Sequence, residues 1–291
     1  MKQPLSLPSF IEQHYPLEEV RIASVLQEKG GRSVLLIHSK QGAFVYKESN
    51  AAKTQEEMAR EMFVFDFAEQ HDFLHLPKLL KTRRGESFVK REQGYIHLMS
   101  FLEGGMPEND APTWARIGAL TAALHALPDY PYQTAFSPAS EVHTHEAVAR
   151  DLPFGQEYLA IANRLPDFSQ CSRSLIHTDI GRHNMAQDQA GKLYFLDWDG
   201  VGVGIRILDV GFPLLSQFLG ADLKFRAKHA AAFYHAYFQH RTLPATDKDL
   251  IFDAALFFQL IYLPYGEIDK NWQKIQFALE KKEEIIAVIP L

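Results

Sequence analysis

The sequence predicts an α+β fold in two parts, a small antiparallel sheet carrying one helix and then a larger, mainly helical part. Three observations point to it. Short strand-like runs separated by tight turns fill most of residues 20–102, one amphipathic helical pattern interrupts them, and helical periodicity dominates beyond Gly104-Gly105. The first strands are expected from Val20 to Leu26, from Ser33 to His38 and from Ala43 to Lys47, with turns at Gly30-Gly31 and near Gln41-Gly42, which makes an antiparallel meander. From Thr54 to His71, Met58, Met62 and Phe65 recur at helical spacing, with Glu56, Glu57, Arg60 and Glu61 among the polar positions. Two more strands, from about Leu79 to near Leu102, flank the turn at Arg84-Gly85-Glu86.

The Gly pair marks the boundary, so the expected division is 1–102 and 103–291, joined at about 99–103. Thr113 to Leu127 reads as a helix, and Ser174 to His177 and Leu193 to Leu196 as short strands. Long helical patterns cover Asp209 to Leu219, Asp222 to His240, Asp247 to Leu263 and Asn271 to Val288. There is no internal repeat, no low-complexity tract and no heptad seam from which an oligomeric state could be read.

Composition narrows the functional classes. With 291 residues, 46% of them hydrophobic, and only 15 Pro and 17 Gly, the chain is an ordinary globular one with a sizeable core. A net charge of −6 and a pI near 6.1 provide no general attraction to nucleic acid or anionic lipid. Cys171 stands alone, which excludes an intramolecular disulfide and a cysteine-based zinc site and suits a reducing compartment. Its plain reading is a small, partly buried side chain. Met1 to Pro8 contains two prolines and no apolar stretch of signal-peptide length. The most apolar run, Ala254 to Leu263, contains Gln259 and falls short of the roughly 20 residues that span a bilayer. A soluble, cytoplasmic protein is expected, without nucleic-acid or membrane partners.

The chemistry concentrates in His177-Thr178-Asp179-Ile180-Gly181-Arg182-His183-Asn184 and, shortly after, Leu196-Asp197-Trp198-Asp199. An Asp, an Asn five positions on and a second Asp supply one base and two metal ligands, the working parts of phosphoryl transfer. Asp179 is the candidate base, and Asn184 and Asp197 are the candidate Mg²⁺ ligands. If Asp197 and Asp199 stay extended they share one strand face, where their repulsion calls for a cation; alternatively Asp199-Gly200 is a turn and Asp199 a solvated turn residue. His177, at the end of an apolar strand, reads as a structural hydrogen-bonding group, whereas His183 is ambiguous. His143-Thr144-His145-Glu146 lacks a third well-spaced ligand and reads as a helix start rather than a zinc site.

Taken in this order, the motifs resemble the aminoglycoside phosphotransferase and choline kinase group, small-molecule kinases with the protein-kinase-like two-lobed fold. The resemblance runs from about Val20 to Asp209 and loosely through the helical C-terminus, and it is strongest at Leu175 to Asn184 with Phe195 to Asp199. It implies ATP and Mg²⁺ as cofactors, a nucleotide-binding lobe in 1–102, and a catalytic loop and acceptor site in 103–291. By the same resemblance Lys47, in Phe44-Val45-Tyr46-Lys47, contacts the nucleotide phosphates, aimed by Glu61 or, one turn earlier, Glu57. The hairpin Gln27 to Ser33 takes the place of the phosphate-covering loop, although it has only two adjacent glycines. Met99-Ser100-Phe101-Leu102 corresponds to the hinge whose backbone binds adenine. Leu124-His125 is a His packed beneath the catalytic loop, and Asp209 supports that loop.

The function expected is transfer of the ATP γ-phosphoryl group to a hydroxyl of a small molecule with an aminoglycoside-, choline- or homoserine-like structure. Asp253, Tyr262, Tyr265, Glu267 and Asp269 are the scattered candidates for acceptor contacts, the acidic ones suiting a cationic acceptor. Two alternatives remain at this level. A protein kinase would need a long segment between Asp197 and Asp209 and an Ala-Pro-Glu after it, and neither is present. An inactive nucleotide-binding module would be expected to lack one of the base, metal or Lys positions, all of which are present.

Overall fold

The computed structural model describes residues 5–29, 32–92, 94–134, 136, 138 and 147–290. In chain order the first elements are α1 (Leu7–His14), β1 (Arg21–Lys29), β2 (Arg32–Ser39), β3 (Gly42–Glu48), α2 (Gln55–Gln70), β4 (Leu79–Leu80), β5 (Val89–Arg91), β6 (Gly94–Ser100) and β7 (Gly104–Gly105). There follow α3 (Ala111–Leu124), α4 (Gly155–Ala162), β8 (Arg173–Ile176), β9 (Met185–Asp188), β10 (Leu193–Phe195) and β11 (Gly202–Ile205). The remaining helices are α5 (Arg206–Ser216), α6 (Ala227–His240), α7 (Ala245–Asp249), α8 (Ile251–Tyr262), α9 (Ile268–Glu280) and α10 (Lys282–Ile286). They form two compact units, Met1–Gly105 with Ala186–Asp197, and Met106–Met185 with Trp198–Leu291. Ala186–Asp197 thus packs with the first unit although it lies far beyond the Gly pair, because β9 pairs antiparallel with β7.

In the first unit the antiparallel sheet runs β1-β2-β3-β6-β4, with β5 on β6. Leu35, Ile37, Tyr46, Ile96 and Leu98 point from it to one face, where Ile11, Tyr15 and Leu17 complete a buried cluster. α1 and the turn after it cover that face, and the Tyr15 hydroxyl donates to the Ile96 carbonyl at 3.0 Å. α1 carries no signal in the sequence: it is eight residues long and contains Pro8, too short for a periodicity to register. α2 opens on a capping box in which Thr54 and Glu57 satisfy each other's backbone N–H groups. The turn at Gly85 lies between β4 and β5, and β6 is the long strand that both pair with.

The second unit is built on helices and an aromatic core. Trp114 of α3 meets Phe218 edge-on at 4.6 Å and Phe233 of α6 at 6.2 Å, and Phe212 of α5 meets Phe258 of α8 at 5.0 Å. β8 and β11 pair antiparallel with Ile176 opposite Gly202. Several helices depart from the periodic pattern for local reasons. α6 starts at Ala227 rather than Asp222, because Gly220 N–H bonds to Lys224 O and Leu223 takes a φ of 57°, which ends any helix there. The pattern from Asp247 breaks at Leu250, between α7 and α8, and the one from Asn271 breaks at Lys281, between α9 and α10. α5 begins at Arg206, so Asp209 falls in its first turn rather than at its start. No helix among the described residues is long and apolar enough to cross a membrane.

Candidate functional site

Lys47 lies on β3 opposite Val34 of β2 and His97 of β6, so it belongs to the sheet face that α1 does not cover. Val34, Leu36, Val45 and Met99 share that face by register and are only half-buried. The Lys47 ammonium is 2.6 Å from Asp197 Oδ1 and 4.0 Å from Glu61 Oε1. Glu61 is almost fully buried on α2 and makes a second ion pair with Lys53, a residue that no periodicity or motif singles out. Glu57 instead serves its own helix. Thr54 N–H and Thr54 Oγ1 both donate to its Oε2, at 2.7 and 2.9 Å, and this bonding holds its carboxyl below the ordinary range. Of the two acids one turn apart, one caps the helix and the other meets the strand lysine.

The loop after β8 is organised by a buried carboxylate. Asp209, fully buried, accepts from the backbone N–H of His177 at 2.7 Å and of Thr178 at 2.6 Å, and from His125 Nε2 at 3.2 Å. Burial lowers the pKa of His125, which is therefore a neutral ring. A carboxylate can only accept, so the ring proton sits on Nε2, and Nδ1 accepts from the Tyr237 hydroxyl at 2.9 Å. The chain of bonds from Tyr237 through His125 to Asp209 fixes the backbone just before Asp179. Thr178 sits there at φ 76°, unusual for a β-branched residue and held by the bond to Asp209. His177 is buried and packs against Trp198 with ring centroids 4.7 Å apart.

Beyond Asp179 the loop closes through a 3-10 turn, Arg182–Asn184, with Asn184 N–H bonded to Gly181 O at 3.0 Å. Asn184 Nδ2 donates back to the Asp179 carbonyl at 3.1 Å, which leaves its amide oxygen as the atom available to a cation. His183 Nε2 lies 3.3 Å from the Asp179 carboxylate. Asp179 Oδ1 is buried and has no hydrogen bond among the described residues, an acceptor that a donor or cation brought by a ligand would satisfy.

Asp197 follows β10, which ends at Phe195, and its φ of 58° takes the chain out of the extended form. The arrangement in which Asp197 and Asp199 share one strand face is therefore absent. Asp199 occupies a turn closed by Val201 N–H on Trp198 O at 3.1 Å, with Gly200 beside it. At Gly200 a Cβ would stand 2.1 Å from Thr178 Oγ1, and the Gly200 carbonyl accepts from Thr134 Oγ1 at 2.6 Å. Glycine is required there because the turn and the loop before Asp179 touch. The Asp197 carboxylate is about half-exposed, with Lys47 as its partner.

Asp197 and Asn184 offer only oxygen donors, and among the described residues no three His, Cys, Asp or Glu side chains converge. Each of the two is an oxygen donor of the kind that a hard cation such as Mg²⁺ takes, its remaining positions being filled by phosphate and water. The His143 to Glu146 cluster and the Gly30-Gly31 turn lie outside the described residues.

Ser33 lies at the start of β2, opposite Glu28. Met99 pairs with Val45 and Leu79 within the sheet, and Phe101 N–H is taken by Ala43 O at 3.1 Å, so that amide is spent inside the sheet. Asp253 stands apart from the other acceptor candidates along α8, whereas the Tyr262 and Tyr265 rings lie 6.5 Å apart. Asp253 is near the start of α8, where burial raises its pKa, and Tyr262 ends the same helix, about 13 Å further along its axis. Tyr262 and Tyr265 are exposed, while Glu267 is tied to Lys270 at 2.7 Å. Sequence reasoning missed Lys53, Thr134, Tyr237 and the contact at Gly200; the only trace of the last was the Asp199-Gly200 dipeptide, read as a turn.

Comparison with known proteins agrees with this geometry. No curated protein sequence matches the chain. Among solved structures, the amicoumacin kinase hAmiN, in complex with AMP-PNP, Ca²⁺ and Ami, superposes with a TM-score of 0.69 at 14% identity over 99% of this chain and 96% of that one. An aminoglycoside phosphotransferase from Alicyclobacillus acidocaldarius gives 0.66 at 12% identity, covering 99% and 95%. The choline kinase LicA from Streptococcus pneumoniae gives 0.58 at 16% identity, covering 97% of both. These likenesses establish the fold, the α+β architecture of small-molecule kinases. The family model for the phosphotransferase enzyme family (APH) matches residues 26–248, more than half of the chain, and the protein therefore belongs to that family.

Proposed function

We propose that this phosphotransferase uses ATP and Mg²⁺ to phosphorylate a hydroxyl of a small molecule in the cytoplasm. The observation that carries the reading is the Lys47 ammonium, held beside the buried Glu61 and the half-exposed Asp197 on a sheet face whose Val34, Leu36, Val45 and Met99 are only half-buried. That face offers an apolar surface to a base and a fixed cation to phosphate oxygens. Val34, Leu36, Val45 and Met99 would receive the adenine. Met99 and Phe101 would contribute carbonyls or side chains to it, since Phe101 N–H is already bonded. Ser33 would lie toward the phosphates.

Asn184 and Asp197 would hold Mg²⁺, which would neutralise charge on the phosphates; Asp199 serves the turn. Asp179 accepts the proton of the acceptor hydroxyl as its oxygen attacks the γ-phosphorus. The bond from phosphorus to the β–γ bridging oxygen breaks, and ADP leaves with the electron pair. Only eight residues, 198–205, lie between Asp197 and the start of α5 at Arg206, and the turn and β11 fill them. This favours small acceptors over peptides. The aminoglycoside-, choline- and homoserine-like classes are the acceptors to try, with sugars and nucleosides beside them.

The test is ATP consumption with Mg²⁺ across those classes, run alongside Asp179→Asn. The variant should keep nucleotide binding, read as an ATP-dependent rise in Tm, while turnover falls by about 10²–10⁴. Unchanged turnover in Asp179→Asn refutes the base assignment. ATP binding without turnover of any acceptor supports an inactive nucleotide-binding module instead.

A further inference from the structure

We propose that His183 is a positioning residue that holds the Asp179 carboxylate in the orientation needed to take the acceptor's proton. The inference rests on the reading of Asp179 as the base. A general base works only if its carboxylate keeps one rotamer while the acceptor arrives, and a misplacement of about 1 Å can cost on the order of 10²-fold in rate. The loop secures the backbone of Asp179 well, through Asp209 on one side and Asn184 on the other. The side chain has a single hydrogen-bond partner among the described residues, the His183 ring.

That ring is placed by its surroundings. His183 Nε2 lies 3.3 Å from both carboxylate oxygens and bonds to Oδ2. Because the carboxylate can only accept, Nε2 is the donor. The ring lies across the turn above Gly181, where a Cβ would stand 2.5 Å from His183 Cε1 and 2.6 Å from Nδ1. Gln217 Nε2, from the end of α5, is 2.9 Å from the same point and closes the space on that side. Any side chain at residue 181 would push the imidazole off Asp179. The pair is partly exposed, with 49% of the His183 side chain and 35% of the Asp179 side chain open to solvent, so it adds little to folding. Its effect lies in fixing the carboxylate. The 3.3 Å separation is at the long end for such a bond, as is common before substrate draws a site together.

The experiment uses the full chain and hydrolysis of Mg·ATP by water, with the acceptor found in the screen as a second substrate. His183→Ala and Gly181→Ala should each lower kcat about 10-fold, a loss short of that of the base itself, with KM for ATP and Tm unchanged. His183→Gln, whose Nε2 still donates, should recover most of the rate, and the Gly181→Ala/His183→Ala double variant should be no slower than His183→Ala, since both remove one contact. If Asp179→Asn collapses turnover while His183→Ala does not, the inference fails and the base assignment stands. Failure of His183→Gln to recover any rate, or additive losses in the double variant, also overturns it. Retained turnover in Asp179→Asn removes both.

Discussion

The two groups of functional side chains are held by opposite means. Lys47, Glu61, Lys53 and Asp197 are joined by side-chain ion pairs on a strand, a helix and a loop, and the outermost of them, Asp197, is half-exposed. The Asp179 loop is held through its backbone, by a carboxylate with no exposure at all and a hydrogen-bond chain reaching Tyr237. On the roles proposed above, charges that exchange one partner for a nucleotide phosphate are held by contacts that can be exchanged. The proposed base sits on a loop set by buried bonds whose loss leaves orphaned polar groups. Function therefore tolerates disturbance in the first group differently from the second.

The largest expected effect breaks the second group. Asp209→Ala leaves the buried His177 N–H, the part-buried Thr178 N–H and His125 Nε2–H without an acceptor, at about 1–3 kcal/mol each, so denaturant unfolding should show a loss of roughly 3 kcal/mol or more with turnover collapsing alongside. A stable, active Asp209→Ala protein would mean that the loop is not held from below. Next, Gly200→Ala forces a methyl against Thr178 Oγ1, with an expected cost of about 1–3 kcal/mol and a fall in kcat, checked by the same two measurements.

In the first group the contrast is sharpest between two glutamates one turn apart. Glu61→Gln removes the partner of two lysines and should weaken ATP binding measurably in calorimetry with the fold retained. Glu57→Ala should cost under about 1 kcal/mol, as loss of a capping-box contact does, and leave ATP affinity as it was. Equal losses of affinity in both would blur the assignment of Glu61.

The smallest effect is the most specific. His125 has a folded-state pKa below its unfolded value, so the unfolded chain binds a proton that the native ring refuses. Its contribution is fully present above about pH 6.5 and is lost as pH falls below that value. Tm should decline below about pH 6.5, and His125→Gln should show a shallower decline than the parent. Burial also lowers the pKa of His75 and His229, so the slope of the variant should shrink rather than vanish.

Much of this was legible in the chain. The meander, the Thr54 helix and the run from Asp179 through Asn184 to Asp197 have local signals: alternation, a cap and fixed spacing. Elements with no such signal were invisible, as α1 was for its shortness and β9 for pairing with two glycines far away in sequence. The premise that Asp197 stays extended failed because its φ turns positive immediately after β10.

By itself the sequence determined the α+β class and the motifs by which the chain resembles its phosphotransferase family, since periodicity and motif spacing are properties of neighbouring residues. Only the tertiary structure decided which acid meets Lys47, that Asp199 serves a turn, that Lys53 shares Glu61, and that glycines at 181 and 200 make room for His183 and Thr178. Those are contacts between segments or across a closed turn, set by packing and hydrogen-bond geometry, and spacing along the chain carries no record of them.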